Sequence, residues 1–320
     1  MSHSNRVAAG SNRIFWVGMA GSNAPSVGPR GRRGWLLAAF PILLCAGGCD
    51  RAAPERAPNP GDRRTAINRV VSLSPLATRF VLAIGAGERI VGSDLVSARR
   101  PELAGRPVVD LAGAAELRPD LVLVTEAPEP ADAAAAALHR RGARIVAFAP
   151  HDLEDTLPLV REVGGALVGA EQASRFERAF SRPLARIGGE SGGQPRPRVV
   201  AVVSFEPLVI AGGHSFETDL IEIAGGQSVT HPGDEPRLAI GADRWTLLAP
   251  DLVLVIAAPP ASKRAEQALR NAVPPGAAVA FFPFDPAFWI DASDEPARRL
   301  RSVIEPIARD MGDARPSGPR

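Results

Sequence analysis

The sequence predicts an α/β protein of two similar lobes, each built on a mostly parallel sheet, joined by a single long helix. Three observations carry this. The octet LRPDLVLV at 117–124 returns as LAPDLVLV at 248–255, and a Pro-Asp pair leading into a short branched-aliphatic run is the signature of a buried parallel strand. Strand and helix patterns alternate on either side of each copy, as parallel sheets require. Between the copies, residues 170–187 form one helical pattern, long enough at roughly 27 Å to cross a bilobed molecule. Two lobes imply a cleft, where a small ligand would sit.

Taken in order, Arg69–Leu73 reads as a first buried strand. Ser74-Pro75 starts a helix, since proline suits a first turn. That helix carries Leu76, Phe80, Val81 and Ile84 on one face and ends at Gly85 or Gly87. Ile90–Gly92 and Val108-Val109 are the next strands, then Leu121–Val124, helix 131–141, strand Ile145–Phe148 and helix 152–168. The joining helix presents Phe176, Phe180, Leu184 and Ile187 along one side, and Pro183 should kink it or end its regular part. After the Gly/Pro-rich break at Gly188–Pro197, the second lobe offers strands Val199–Val203, Leu208–Ile210, Leu252–Ile256 and Ala278–Phe282. Its helices are Phe216–Ala224, Asp243–Leu248, 261–271 and 295–311. The domain boundaries are therefore 67–169, 170–197 and 198–312, with a disordered tail at 313–320.

The N-terminal 66 residues are different. Residues 1–48 hold five arginines and no acid, so the remaining chain has thirty-two basic against thirty-five acidic side chains. No clustered basic face of the kind nucleic acids require is present in the sequence. Arg30, Arg32 and Arg33 form a basic segment, Trp35–Leu44 is apolar, and Ala46-Gly47-Gly48 supplies small residues before Cys49. This is an export signal whose apolar run is too short to span a bilayer comfortably. It resembles a bacterial lipoprotein signal, which implies lipidation at Cys49. Ala46 departs from that pattern, where leucine is usual, and an ordinary export signal with an incidental cysteine is the alternative. Asp50 resembles the residue that keeps some lipoproteins on the inner membrane, and Arg32-Arg33 is a weak twin-arginine candidate. Either Met1 or Met19 can be the start. Residues 49–66 read as a flexible tether.

Four segments in register resemble one family: RVVSLSPLATRFVLAIGAGERIVG (69–92), LRPDLVLV, GGHSFETDLIEIAGGQSV (212–229) and LAPDLVLV. These are similar to the periplasmic substrate-binding proteins for vitamin B12 and iron–siderophore chelates, which serve ABC importers. The resemblance covers about 68–311. It implies two Rossmann-like lobes on one stiff helix, small hinge motion, no enzymatic activity and a monomer on the periplasmic face of the inner membrane. The implied partners are an ABC permease with its ATPase. The implied ligand is a cobalt corrinoid or ferric chelate, carried as cargo rather than as an intrinsic cofactor. Two departures stand out. The family's acidic docking residue, eight positions before the repeated Asp, is Asp243 in the second lobe but Ala112 in the first, so Glu116 or Asp110 would have to substitute. Thr78-Arg79 stands where Thr-Glu is usual.

Ligands of open α/β sheets meet loops at the carboxyl ends of strands. In the first lobe these loops hold Ser74, Pro75, Arg99, Arg100 and Thr125; in the second, Phe205, His214, Phe284 and Trp289. Aromatic faces suit a flat, partly apolar chelate, and arginine suits the acidic groups of a siderophore. Trp289 could equally pack the last helix against the sheet, while Trp245, among leucines on a helix, reads as core. His151, His214 and His231 lie in loops without close metal spacing, so no metal site is assigned, though a haem-binding member of the family is an alternative reading. A tethered sensing protein is a further alternative. An exported α/β hydrolase lacks support, because the sequence has neither Gly-x-Ser-x-Gly nor His-Glu-x-x-His.

Overall fold

A computed structural model of the chain describes residues 14–16, 67–257, 263, 267 and 271–313. The expected export signal apart from residues 14–16, Cys49, the expected tether, most of the expected helix 261–271 and the tail after 313 lie outside the described residues. No described helix is long and apolar enough to cross a membrane.

The first lobe is a four-stranded, wholly parallel sheet. Its strands are β1 (Val70–Leu73), β2 (Ile90–Ser93), β3 (Leu121–Val124) and β4 (Arg144–Ala147), in the spatial order β2-β1-β3-β4. Helices α1 (Pro75–Ala83), α2 (Leu111–Ala114) and α3 (Ala133–Arg140) connect them. After β4 the chain enters α4 (Leu153–Leu159), which passes through a π turn at Val160–Gly164 into a last α turn at Gly165–Val168. The expected strand at Val108-Val109 is reduced to one isolated bridge, Ser93 to Val108. A two-residue run is too short to sustain a ladder beside the edge strand β2.

Helix α5 (Ala170–Glu190) is the expected joining helix, with Phe180, Leu184 and Ile187 buried along one side. It runs on past Pro183 to Glu190 rather than ending there. The missing N–H removes one hydrogen bond of the helix, but the buried apolar stripe continues on both sides of it.

The second lobe is mixed rather than purely parallel. Strands β5 (Arg198–Phe205), β9 (Leu252–Val255) and β10 (Ala278–Phe281) are parallel neighbours. Strand β6 (Leu208–Ala211) folds back antiparallel on β5, and β8 (Arg237–Ala239) pairs antiparallel with β6. The short β7 (Gln227–Ser228) pairs with β5, and Ile14–Trp16 pairs with β10. Helices α6 (Phe216–Ile223), α7 (Ala242–Leu247) and α8 (Glu295–Asp313) complete the lobe.

The repeated octets occupy equivalent places, and their aspartates are structural, as the sequence suggested. Asp120 accepts the backbone N–H groups of Asn68 (2.8 Å) and Arg69 (2.9 Å). Asp251 accepts that of Arg198 at 2.7 Å. The two arginines then reach back to carbonyls just before Pro-Asp: Arg69 to Leu117 and Arg118, Arg198 to Leu248 and Ala249. Arg118 and Ala249 have the same left-handed backbone, with φ 46° and 42°. Each octet is thus a latch pinning the start of one central strand to its neighbour.

The lobes also share apolar interior. Trp289, after β10, is fully buried and lies 5.9–6.4 Å between ring centroids from Phe80 of α1, Phe148 after β4, and Phe176 and Phe180 of α5. Nearby, Arg79 of α1 forms ion pairs with Asp285 and Asp291 of the second lobe. This accounts for arginine at position 79: its guanidinium bridges the lobes.

Candidate functional site

Two stretches of strand-end loop shape the first lobe's side of the junction. After β1, the Ser74 hydroxyl accepts the Ala77 N–H and caps α1, leaving Pro75 exposed above it. Ser74 is itself buried, held in a hydroxyl cluster in which Thr78 Oγ1 donates to Ser72 Oγ at 2.8 Å. After β2, Asp94 accepts the backbone N–H groups of Val96 (2.8 Å) and Ser97 (2.9 Å) and the Ser97 hydroxyl. An aspartate that ties its own following backbone fixes a tight turn. The consequence is that Leu95 and Val96 stand out into solvent, 64% and 59% exposed. Arg99 is exposed on the same turn, and Thr125 is half-buried after β3.

In the second lobe, Phe205 is half-buried at the end of β5. His214 is set by the Gly-Gly-His-Ser loop between β6 and α6. A Cβ on Gly212 would come within 1.9 Å of the Glu235 carbonyl oxygen, and one on Gly213 within 2.0 Å of that of Gly233. Only glycine lets the 230–236 segment pack this close. Ser215 then caps α6 by accepting the Thr218 N–H, and its hydroxyl donates to the Gly212 carbonyl.

So positioned, His214 faces the first lobe. Its Nε2 lies 2.9 Å from Asp152 and 3.3 Å from Asp155, both at the start of α4. His151 is buried beside them, its ring 5.9 Å from that of His214. Behind, Asp219 of α6 accepts the Leu153 backbone N–H at 2.7 Å, a second bond between the lobes. Burial pushes the Asp219 carboxyl up to about 7, only partly offset by that N–H, with Asp152, Glu154 and Glu217 adding to the rise. Burial likewise raises Asp152, against the Asp155 backbone N–H and the His214 charge. The carboxyl cluster is not visible in the sequence, because Asp152 and Asp155 lie some sixty residues from His214 and Asp219.

Other expected site residues are placed differently. Trp289 offers no surface to a ligand; it closes the core where both lobes meet α5, the packing role the sequence left open. Phe284 is 5% exposed, packed against Phe282 and Phe288. Both corrections have one cause: the loop after β10 folds inward, under α1 and α5, instead of lining the mouth. Trp245 is buried, as expected, and its indole N–H donates to the Ala272 carbonyl. Glu116 is exposed just after α2, whereas Asp110 caps that helix through the Gly113 N–H. Asp243 lies on α7, but its side chain is outside the described residues. His231 is 64% exposed beside Glu222. A separate cavity of about 500 Å³ lies wholly in the second lobe, lined by Ile210, Val229, Leu238, Ile240, Arg244 and Leu247 among others.

A parallel-sheet lobe and a mixed-sheet lobe bridged by one helix, with loops meeting across the junction, give the chain a bilobed α/β fold. No protein-family profile matches it. It is 22% identical over 195 residues to a vitamin B12-binding protein of Vibrio vulnificus, spanning 59% of this chain and 71% of that one. A solute-binding protein of Staphylococcus epidermidis, named as a possible iron-binding protein, matches 78% of this chain and 99% of its own at 18% identity and TM-score 0.56. A periplasmic haem-binding protein of Pseudomonas aeruginosa matches 76% of this chain and 94% of its own at 22% identity and TM-score 0.55. The chain shares the two-lobed fold of these solute-binding proteins.

Proposed function

We propose that the protein captures a metal chelate, a corrinoid or a ferric siderophore, between its lobes and delivers it to an ABC importer. The observation that carries this is the first lobe's rigid turn, which holds Leu95 and Val96 exposed at the carboxyl end of β2. Two large apolar side chains kept in water by a fixed turn are a surface waiting for an apolar face, and each would contribute up to roughly 1.5–3 kcal/mol if covered. We assign Arg99, Thr125 and Pro75 of the first lobe and Phe205 and His214 of the second to the same cleft, from their places at the carboxyl ends of strands. The relatives that bind vitamin B12, iron or haem support the ligand class.

In this reading Cys49 carries the lipid anchor on the periplasmic face of the inner membrane, and the chain works as a monomer. Asp243 docks the permease from the second lobe. Glu116 does so from the first, since Asp110 is committed to its helix cap. A haem-binding role is the second reading, favoured by the half-buried His214 imidazole. Calorimetric titration of the mature protein with cyanocobalamin, a set of ferric siderophores and haem tests the proposal. Saturable 1:1 binding of a corrinoid or siderophore that weakens about tenfold in Leu95→Asp supports it. Binding of haem alone selects the second reading, and binding of none contradicts both.

A further inference from the structure

The contact between the lobes gathers a set of ligating atoms around His214. Asp152 and Asp155 come from the first lobe and His214 from the second, and one donor atom from each lies within 4.8 Å of the others. Tetrahedral zinc, with bonds of 2.0–2.2 Å to imidazole nitrogen and carboxylate oxygen, needs N···O separations of about 3.3–3.5 Å. The separations at His214 Nε2 are 2.9 and 3.3 Å. An ion would therefore enter by opening the cluster a few tenths of an ångström, replacing the proton that Nε2 directs at the carboxylates.

Charge balance points the same way, independently of the spacing. Asp152, Asp155, Glu154 and Asp219 converge here, while the nearby guanidinium of Arg237 is taken up by Glu217, which it holds at 2.9 Å. The imidazoles at this cluster are those of His214, within reach of Asp152 and Asp155, and of His151 beside it. Asp152 is buried and Asp155 and Asp219 partly so, while Glu154 is exposed, and carboxylates gathered at such a depth favour a cation. Asp152 is 8% exposed, so bulk ions do not screen it freely.

We propose that Asp152, Asp155 and His214 form a site for a borderline divalent cation of the zinc class, which ties the two lobes together across the junction. The donor set, one imidazole and two carboxylates, is one that zinc and cobalt(II) accept, and leaves a fourth position for water or the neighbouring His151. The ion is a structural clasp, distinct from a metal carried within a chelate.

The test uses mature protein stripped with a chelator and then titrated with cobalt(II) and zinc(II), with no chelate cargo present. One equivalent of cobalt should give the intense visible bands of a tetrahedral centre, and zinc should displace it. His214→Ala and Asp152→Asn should each weaken uptake by about 100-fold, while His231→Ala, outside the cluster, should not. Circular dichroism of each variant confirms that it folds. A cobalt spectrum that stays octahedral, or uptake unchanged in both cluster variants, overturns the proposal. Because the titration needs no cargo, its failure leaves the transport reading standing, and the reverse also holds.

Discussion

The two lobes share a latch and differ in nearly everything that follows it. Asp120 and Asp251 hold the same backbone groups, Arg69 and Arg198 return to equivalent carbonyls, and Arg118 and Ala249 take the same left-handed turn. Beyond the latches, the first lobe stays parallel and opens onto solvent through Leu95 and Val96. The second folds a hairpin back on itself and sends the segment after β10 into the other lobe's core. A duplicated scaffold can thus keep its strand-pinning hydrogen bonds while its loops diverge to different tasks.

The largest expected effect lies where the symmetry fails most. Trp289→Ala should cost about 3–5 kcal/mol, because it empties a fully buried indole site shared by both lobes. Urea unfolding should show one transition shifted to lower denaturant. Loss of only the second lobe's signal, with the first unaffected, would break the claim that the lobes share a core.

Asp219 makes a second asymmetric contact, and its sign is that of a buried acid. Its folded value of about 7 lies above the usual carboxylate range. The folded state therefore holds that proton more tightly than the unfolded chain does. Stability from this group is greatest below about pH 4, falls as pH rises toward 7, and is flat beyond. In chelator-treated protein, Asp219→Asn should be nearly neutral at pH 4 and stabilising at pH 8, by on the order of 2–4 kcal/mol. A pH-independent difference in melting temperature would contradict it.

The latches themselves should be graded. Asp120 accepts two backbone N–H groups and Asp251 one. Each alanine variant should lose about 1–3 kcal/mol, with Asp120→Ala the more costly. Hydrogen exchange at the N–H groups of Asn68, Arg69 and Arg198 would report each latch separately. The smallest effect is expected at Arg79, a quarter exposed, where Arg79→Met should cost less than about 1 kcal/mol at moderate salt.

What the sequence disclosed follows from how local each feature is. The octets, the α1 face and the stripe on α5 are written in periodicities of two and 3.6 residues, so they were legible. The aspartate latches were legible as turns, though not their arginine partners some fifty residues away. The Asp152–Asp155–His214 set was not, since nothing in the spacing links residues of different lobes. Trp289 misled for a related reason: an aromatic in a polar loop looks the same whether the loop turns outward to a ligand or inward to a core. The antiparallel return of β6 goes with the two-residue connection Glu206-Pro207, too short for the crossover that a parallel strand needs.

The proposal that this junction holds a chelate is tested most directly by the absorption spectrum of the protein purified from its native source without added ligand. The account predicts a corrinoid or ferric-chelate band in about one equivalent, lost on mild unfolding and absent from a Leu95→Asp, Val96→Asp variant. A colourless protein that also takes up no corrinoid, siderophore or haem on incubation would contradict it.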